Sequence, residues 1–87
     1  KEFGLMQNYP NPFNPATAIS YQLIANSFVT LKVFDLLGRE ISTLVNQQME
    51  AGKHLVNWNA SNVAAGVYLY QLRVSGSVET RKAVVLK

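Results

Sequence analysis

His54 is the one histidine of this chain, and Glu2, Asp35, Glu40, Glu50 and Glu79 are its five carboxylates. Proton transfer, metal ligation and nucleophile activation would draw on these groups, and each needs several of them together. Zinc takes three or four ligands and calcium six to eight oxygens. The acids here stand singly, on turns and strand faces. Asp35, at a turn, could offer an oxygen to calcium, but no acid cluster supplies the others. His54 opens a strand in which it alternates with Val56 and Trp58, the position of a histidine at the rim of a core. A Ser-His-Asp set gathered from distant positions stays open on sequence alone, yet no serine lies in a nucleophile-elbow context. The five glycines (Gly4, Gly38, Gly52, Gly66, Gly76) are isolated turn residues, not a phosphate-cradling loop. The residues therefore point to no enzyme, no metal, no cofactor and no small-molecule substrate.

The elements that would have to position any site come from a short chain. Eighty-seven residues make one domain with a modest core. Hydrophobic residues are 48% and charged residues 15% of the chain, the balance of a folded protein with a fairly apolar surface. The net charge is +3, but Lys32, Arg39, Lys53 and Arg73 stand apart and only Arg81-Lys82 are adjacent. A nucleic-acid partner would call for a clustered stripe or a known module, so none is expected. Without cysteine there is no disulfide framework. No apolar run approaches the roughly 18 residues of a membrane span, and no secretory leader is visible ahead of Phe3-Gly4-Leu5, so the chain reads as an excised module.

The densest local information is in Leu5–Pro15, which holds all three prolines: Pro10, Pro12 and Pro15. Each fixes its own φ and removes a donor. Each also drives the preceding residue, Tyr9, Asn11 or Asn14, toward extended conformations. This stretch can be neither helix nor central strand. Residues 1–16 are expected to form a stiff lead-in, with Tyr9 and Phe13 as anchors to the core.

Residues 17–87 read as a β-sandwich body with period-two alternation. Ile19, Tyr21 and Leu23 share one face, then Val29, Leu31 and Val33. Asp35-Leu36-Leu37-Gly38 is a tight turn, with Gly38 supplying positive φ. Arg39–Val45 is a strand; a helix there is disfavoured by Gly38 and by the β-branched Ile41, Thr43 and Val45. Asn46–Gly52 is polar and is read as a connection. Lys53–Asn59 and Val67–Val74 are strands, and Ser75-Gly76-Ser77 turns a hairpin into the last strand, Val78–Leu86. Asn59-Ala60-Ser61 matches a glycosylation pattern, though turn chemistry is the better use of Asn59. Six strands plus the lead-in, spaced about 8–12 residues apart, predict an all-β, immunoglobulin-like antiparallel sandwich of about seven strands without a disulfide. Trp58, Tyr68, Tyr70 and Leu72 form its core. Phe34 with these aromatics could instead line a sugar-binding face, but their strand spacing favours the core.

An ordered set of motifs now becomes specific: Leu5-x-Gln7-Asn8-Tyr9-Pro10-Asn11-Pro12-Phe13-Asn14-Pro15-x-Thr17-x-Ile19-x-Tyr21-x-Leu23, then Val33-Phe34-Asp35-Leu36-Leu37-Gly38-Arg39-Glu40, Ala51-Gly52-x-His54, Val56-x-Trp58-Asn59, Gly66-Val67-Tyr68-x-Tyr70-x-Leu72, and Thr80-x-Lys82 through Lys87. Nearly the whole chain, from about Phe3 to Lys87, resembles the type A C-terminal sorting domain of the type IX (Por) secretion system. That family is similar in turn to the immunoglobulin-like domain of the flagellar hook-capping protein. Two positions depart from the pattern: Ile24 stands where a proline commonly follows the first strand, and Ala83 where a larger apolar residue is usual.

The resemblance implies a non-catalytic export signal of Bacteroidetes-like bacteria, joined to a cargo on its N-terminal side. It would carry that cargo from the periplasm through the outer-membrane translocon to the cell surface or beyond. A sortase-like peptidase would then cut upstream of Lys1. The alternative is a retained immunoglobulin-like spacer or carbohydrate-binding module. Recognition of a common signal on unrelated cargoes has to lie in the surface of the domain itself. The candidates are Tyr9, Pro10, Asn11, Pro12, Phe13, Asn14 and Pro15 of the lead-in, Gly38 and Arg39 of the turn, and Lys82 and Lys87 of the last strand. That strand is also expected to offer a free edge for strand addition.

Overall fold

A computed structural model of the chain describes residues 3–87, so Glu2 lies outside the described residues. Seven strands follow in order: β1 (Phe3–Leu5), β2 (Ala16–Leu23), β3 (Ser27–Phe34), β4 (Glu40–Met49), β5 (Gly52–Asn59), β6 (Gly66–Val74) and β7 (Ser77–Val85). They form two antiparallel sheets, ordered β1-β2-β5 and β4-β3-β6-β7. This is the immunoglobulin-like two-sheet arrangement with the fourth strand carried on the second sheet, where the constant-type fold places it on the first.

Alternation builds the core as the sequence suggests. Ile19, Tyr21 and Leu23 of β2 face Val29, Leu31 and Val33 of β3 and Tyr68, Tyr70, Leu72 and Val74 of β6, all buried. Trp58 sits between the sheets at 3% exposure. Its ring meets Phe13 edge-on at 5.4 Å and Tyr68 at 5.6 Å, contacts of a kind that add about 0.5–1.5 kcal/mol each to the burial itself. Ala83 is fully buried in β7 opposite Tyr68, so its small side chain belongs to the core. The β6–β7 hairpin closes through Ser75 and Gly76, both at positive φ (50° and 83°), as a two-residue turn between right-twisted strands requires.

Three expectations are corrected. Asn46–Met49 is not a connection: it continues β4, pairing with Ser27–Thr30. Its polarity reflects an edge strand with few buried positions, not a loop. Tyr9 is not a core anchor. It is 80% exposed, and only its backbone is held, by reciprocal bonds to Ala18 (N–H to O 2.9 Å, O from N–H 3.0 Å). Nor is β7 a free edge. Phe13 donates its N–H to Val84 O (3.0 Å) and accepts from Leu86 N–H (2.8 Å). Asn11 Oδ1 accepts from Val84 N–H (2.9 Å), and Gln7 Nε2 donates to Lys82 O (2.7 Å).

The lead-in is thus a strap that crosses from β2 of one sheet to β7 of the other and closes that side of the sandwich. Its three X-Pro bonds are cis. One buried polar cluster pins it. The Tyr70 hydroxyl donates to Met6 O (2.8 Å) and accepts from the Asn8 N–H (2.8 Å). Asn8 Nδ2 donates to Thr17 Oγ1 (3.0 Å) and Pro10 O (3.1 Å), while the Thr17 hydroxyl donates to Pro10 O (2.8 Å). Asn8 and Thr17 are almost fully buried, and among the described residues no buried side-chain polar atom lacks a partner. Burial is the main effect on the Tyr70 hydroxyl and pushes its pKa up, against opposing influences from the Asn8 N–H and Arg81.

Tyr70→Phe would leave the buried Asn8 N–H and the part-buried Met6 O without the hydroxyl that joins them. The expected loss of unfolding free energy is about 1–3 kcal/mol, read from urea denaturation monitored by Trp58 fluorescence. A change of a few tenths of a kcal/mol would show that the cluster does not pin the strap.

Candidate recognition surface

The strand ends decide where the sequence-chosen residues gather. β2 begins, β3 ends, β4 begins, β5 ends, β6 begins and β7 ends at the same pole of the sandwich, as the pairings Ala16↔Asn59, Phe34↔Glu40 and Gly66↔Val85 require. The second half of the lead-in joins this pole through Phe13↔Val85 and through Ala60 N–H donating to Pro15 O (2.8 Å). Lys87 joins it too, its Nζ donating to Ala60 O (3.2 Å) and Ser61 O (3.0 Å). The Asp35–Arg39 turn stands beside the 63–66 loop across an open groove of about 460 Å³, lined by Leu36, Arg39, Ile41, Val63 and Tyr68. Phe3 lies at the opposite pole, paired with Leu23. The molecule measures 37 × 23 × 19 Å.

Tyr9, Pro10, Asn11, Pro12, Asn14 and Pro15 are exposed at the surface of the strap. Phe13 is not available: at 2% exposure it is wedged against Trp58, so it sets the strap's position and is not part of a docking surface. Gly38 and Arg39 are exposed on the turn. Lys82 is exposed on the outer face of β7, in register with Leu69 of β6. Of the proposed core residues, Trp58, Tyr68, Tyr70 and Leu72 are all buried. With the three aromatics inside, only half-buried Phe34 of that set remains on an outer face.

The turn is rigid for a local reason. Asp35 Oδ1 accepts from the N–H groups of Leu37 and Arg39, both at 2.9 Å, and Oδ2 accepts from Arg39 Nε at 2.7 Å. Gly38 takes φ 87° and donates to Asp35 O, and the Asp35 N–H closes onto Arg39 O, both at 3.0 Å. Only glycine adopts that conformation without strain. The result displays Leu36 and Leu37 outward, both strongly exposed. The run Asp-Leu-Leu-Gly marks a turn in the sequence, but only the fold shows that its two leucines project together. The Asn8–Thr17–Tyr70 cluster leaves no mark in the sequence either: Thr17 reads as a strand position and Tyr70 as a core residue, and neither shows its hydrogen-bond partner.

Several of the other polar groups make structural contacts. The Asp35 oxygens are taken by the turn. The backbone N–H of Arg39 is the main cause holding this carboxyl below its ordinary value. Glu40 is likewise held low, first by the Thr43 hydroxyl (2.6 Å) and then by Lys32 (3.3 Å). His54 is half-buried, stacked on Tyr21 at 5.2 Å, with Nε2 2.7 Å from Glu50 O. Asn59 Oδ1 accepts from Ser61 N–H (2.9 Å), the turn use expected of it. Among the described residues no three His, Cys, Asp or Glu side chains stand close enough to hold a metal.

Fold and surface define the class: a seven-stranded immunoglobulin-like module in which the second half of the lead-in, the Asp35–Arg39 turn and Lys87 share one pole. The chain belongs to the secretion system C-terminal sorting domain family, whose model matches residues 7–86. Its function is therefore that of a C-terminal sorting signal associated with type IX secretion, which directs the protein carrying it to the secreted or surface fraction. In structure it is similar to PorZ, an essential bacterial surface component of the type IX secretion system of Porphyromonas gingivalis. The TM-score is 0.67 at 26% identity, over 97% of this chain and 12% of PorZ. The chain thus spans a small part of that protein's length. No curated protein matches it as a relative.

Because the folded pKa of Asp35 is depressed, its contribution to the turn is complete above the ordinary carboxyl value and is lost as pH falls through the lowered one. The amides of Leu37 and Arg39 are expected to stay protected from exchange at about pH 4 and to lose protection below it. Asp35→Ala should remove that protection at every pH. Unchanged amide exchange in this variant, followed by NMR, would show that the carboxylate does not hold the turn.

Proposed function

We propose that this domain carries a cargo joined on its N-terminal side and presents the pole formed by the strap, the Asp35–Arg39 turn and Lys87 to the outer-membrane translocon of the type IX system. The observation that carries the reading is the polarity of the molecule. The candidate recognition residues meet at one pole while Phe3 enters at the other, so a preceding domain would not cover the surface. Tyr9 and the prolines are held in place by backbone bonds and by the buried Asn8. Docking a pre-ordered surface forfeits less conformational entropy than docking a flexible tail.

On this reading the domain is non-catalytic, passes through the periplasm attached to its cargo, and reaches the surface. A sortase-like peptidase acts there at a point ahead of Lys1. Deleting residues 82–87 would remove the buried Ala83 and Val85 and destroy the core, so loss of export after truncation says nothing about recognition. Point changes at exposed positions do.

Fused behind a periplasmic reporter in a type IX-competent bacterium, residues 1–87 should bring the reporter to the surface or medium. Tyr9→Ala and Arg39→Ala should each lower export by about tenfold, equivalent to 1.4 kcal/mol of recognition, with the thermal midpoint of the Tyr9 variant unchanged. Retention of the wild-type fusion in the periplasm would contradict the signal reading. Normal export of both variants would move recognition away from this pole.

A further inference from the structure

The two sides of the sandwich are unequal. The β1/β7 side is closed by the strap, and β7 also carries Arg81 and Lys82. On the other side β4 pairs with β3 alone. After Glu40 it contains no charge and no proline through Met49. Charged side chains, prolines and bulges are the usual protection of an edge. Here the irregularities fall at Leu31/Lys32 and Val33/Phe34, opposite the first half of β4, and Val45–Met49 runs in regular register with Ser27–Leu31. Ten residues of edge thus end in five that are regular, uncharged and unprotected.

The orientation of this segment follows from the pairing. The Asp35–Arg39 bond turns the backbone groups of the odd-numbered residues of β3 toward β4. Val29 is the partner of Gln47, so Gln47 directs its N–H and C=O inward, and Asn46 and Gln48 direct theirs out. The sequence Val45-Asn46-Gln47-Gln48-Met49 is complementary to itself when reversed about Gln47. Val45 would stand opposite Met49, Asn46 opposite Gln48 in a hydrogen-bonded pair, and Gln47 opposite its own copy. Apolar meets apolar, amide meets amide, and no like charges are opposed.

We propose that the β4 edge, over Val45–Met49, pairs antiparallel with the same edge of a second copy of this chain. The pairing joins two four-stranded sheets into one of eight about a two-fold axis. It leaves the strap and the Asp35–Arg39 pole of both copies uncovered and is independent of the export reading. Five residues per chain bury less than the roughly 1,200–2,000 Å² of a stable interface, so the association is weak, with a Kd on the order of 0.1–1 mM.

Sedimentation equilibrium of the 87-residue chain up to about 2 mM should show a concentration-dependent dimer in that range. Gln47 is exposed at the edge, so Gln47→Lys and Gln47→Glu should each keep the wild-type thermal midpoint. Each alone should dimerise about tenfold more weakly, because like charges then face each other across the axis. An equimolar mixture of the two should associate at least as tightly as the wild type. A wild-type chain that stays monomeric throughout would overturn the proposal. So would a mixture no tighter than either variant alone, because only this register sets Gln47 against itself.

Discussion

The Tyr70 hydroxyl, bonded at once to Met6 O and to the Asn8 N–H, is the contact on which the rest of the structure depends. A two-sheet sandwich has strand edges on both sides, and a chain of this size has little core with which to tolerate a loose one. Prolines cannot supply a regular ladder. The strap instead uses what they leave: side-chain amides at Gln7, Asn8 and Asn11, and backbone groups at Tyr9 and Phe13. Phe13 then fills the end of the core against Trp58. Polar pinning and aromatic packing act at successive points along one short segment.

The same construction explains how a structural element can also be a display. With Asn8 and Phe13 turned inward, the residues between and beyond them are turned out: Tyr9, Pro10, Asn11, Pro12, Asn14 and Pro15. The Asp35 turn repeats the principle on a smaller scale, spending its carboxylate oxygens on local amides and leaving Leu36 and Leu37 outward. A sorting signal shared by unrelated cargoes needs a surface that does not depend on the cargo. These two pre-ordered elements at the pole away from Phe3 meet that condition.

Much of this was legible in the sequence because it rests on short-range physics. Period-two alternation marked β2, β3 and β6 and the buried faces of each; Gly38 and Ser75-Gly76 marked turns; the prolines marked the strap. What was not legible depends on pairing across long separations. Nothing local tells that Asn8 meets a hydroxyl 62 positions away or that the strap would cover β7. Tyr9 misled because an aromatic beside prolines suggests an anchor, whereas the buried positions are the amide before it and the phenylalanine after it. Asn46–Met49 misled because an edge strand buries too little to show alternation, so its polarity reads as a loop.

The central claim is that the strap is an integral part of the fold. Native-state amide hydrogen exchange tests it most directly, at the N–H groups of Met6, Asn8, Tyr9 and Phe13, whose acceptors are Ser20 O, the Tyr70 hydroxyl, Ala18 O and Val84 O. The account expects these four to exchange only through opening of the whole sandwich, with the same opening free energy as the amides of β3 and β6. Fast exchange at these four amides, with β3 and β6 still protected, would contradict it and reduce the strap to a loosely attached lead-in.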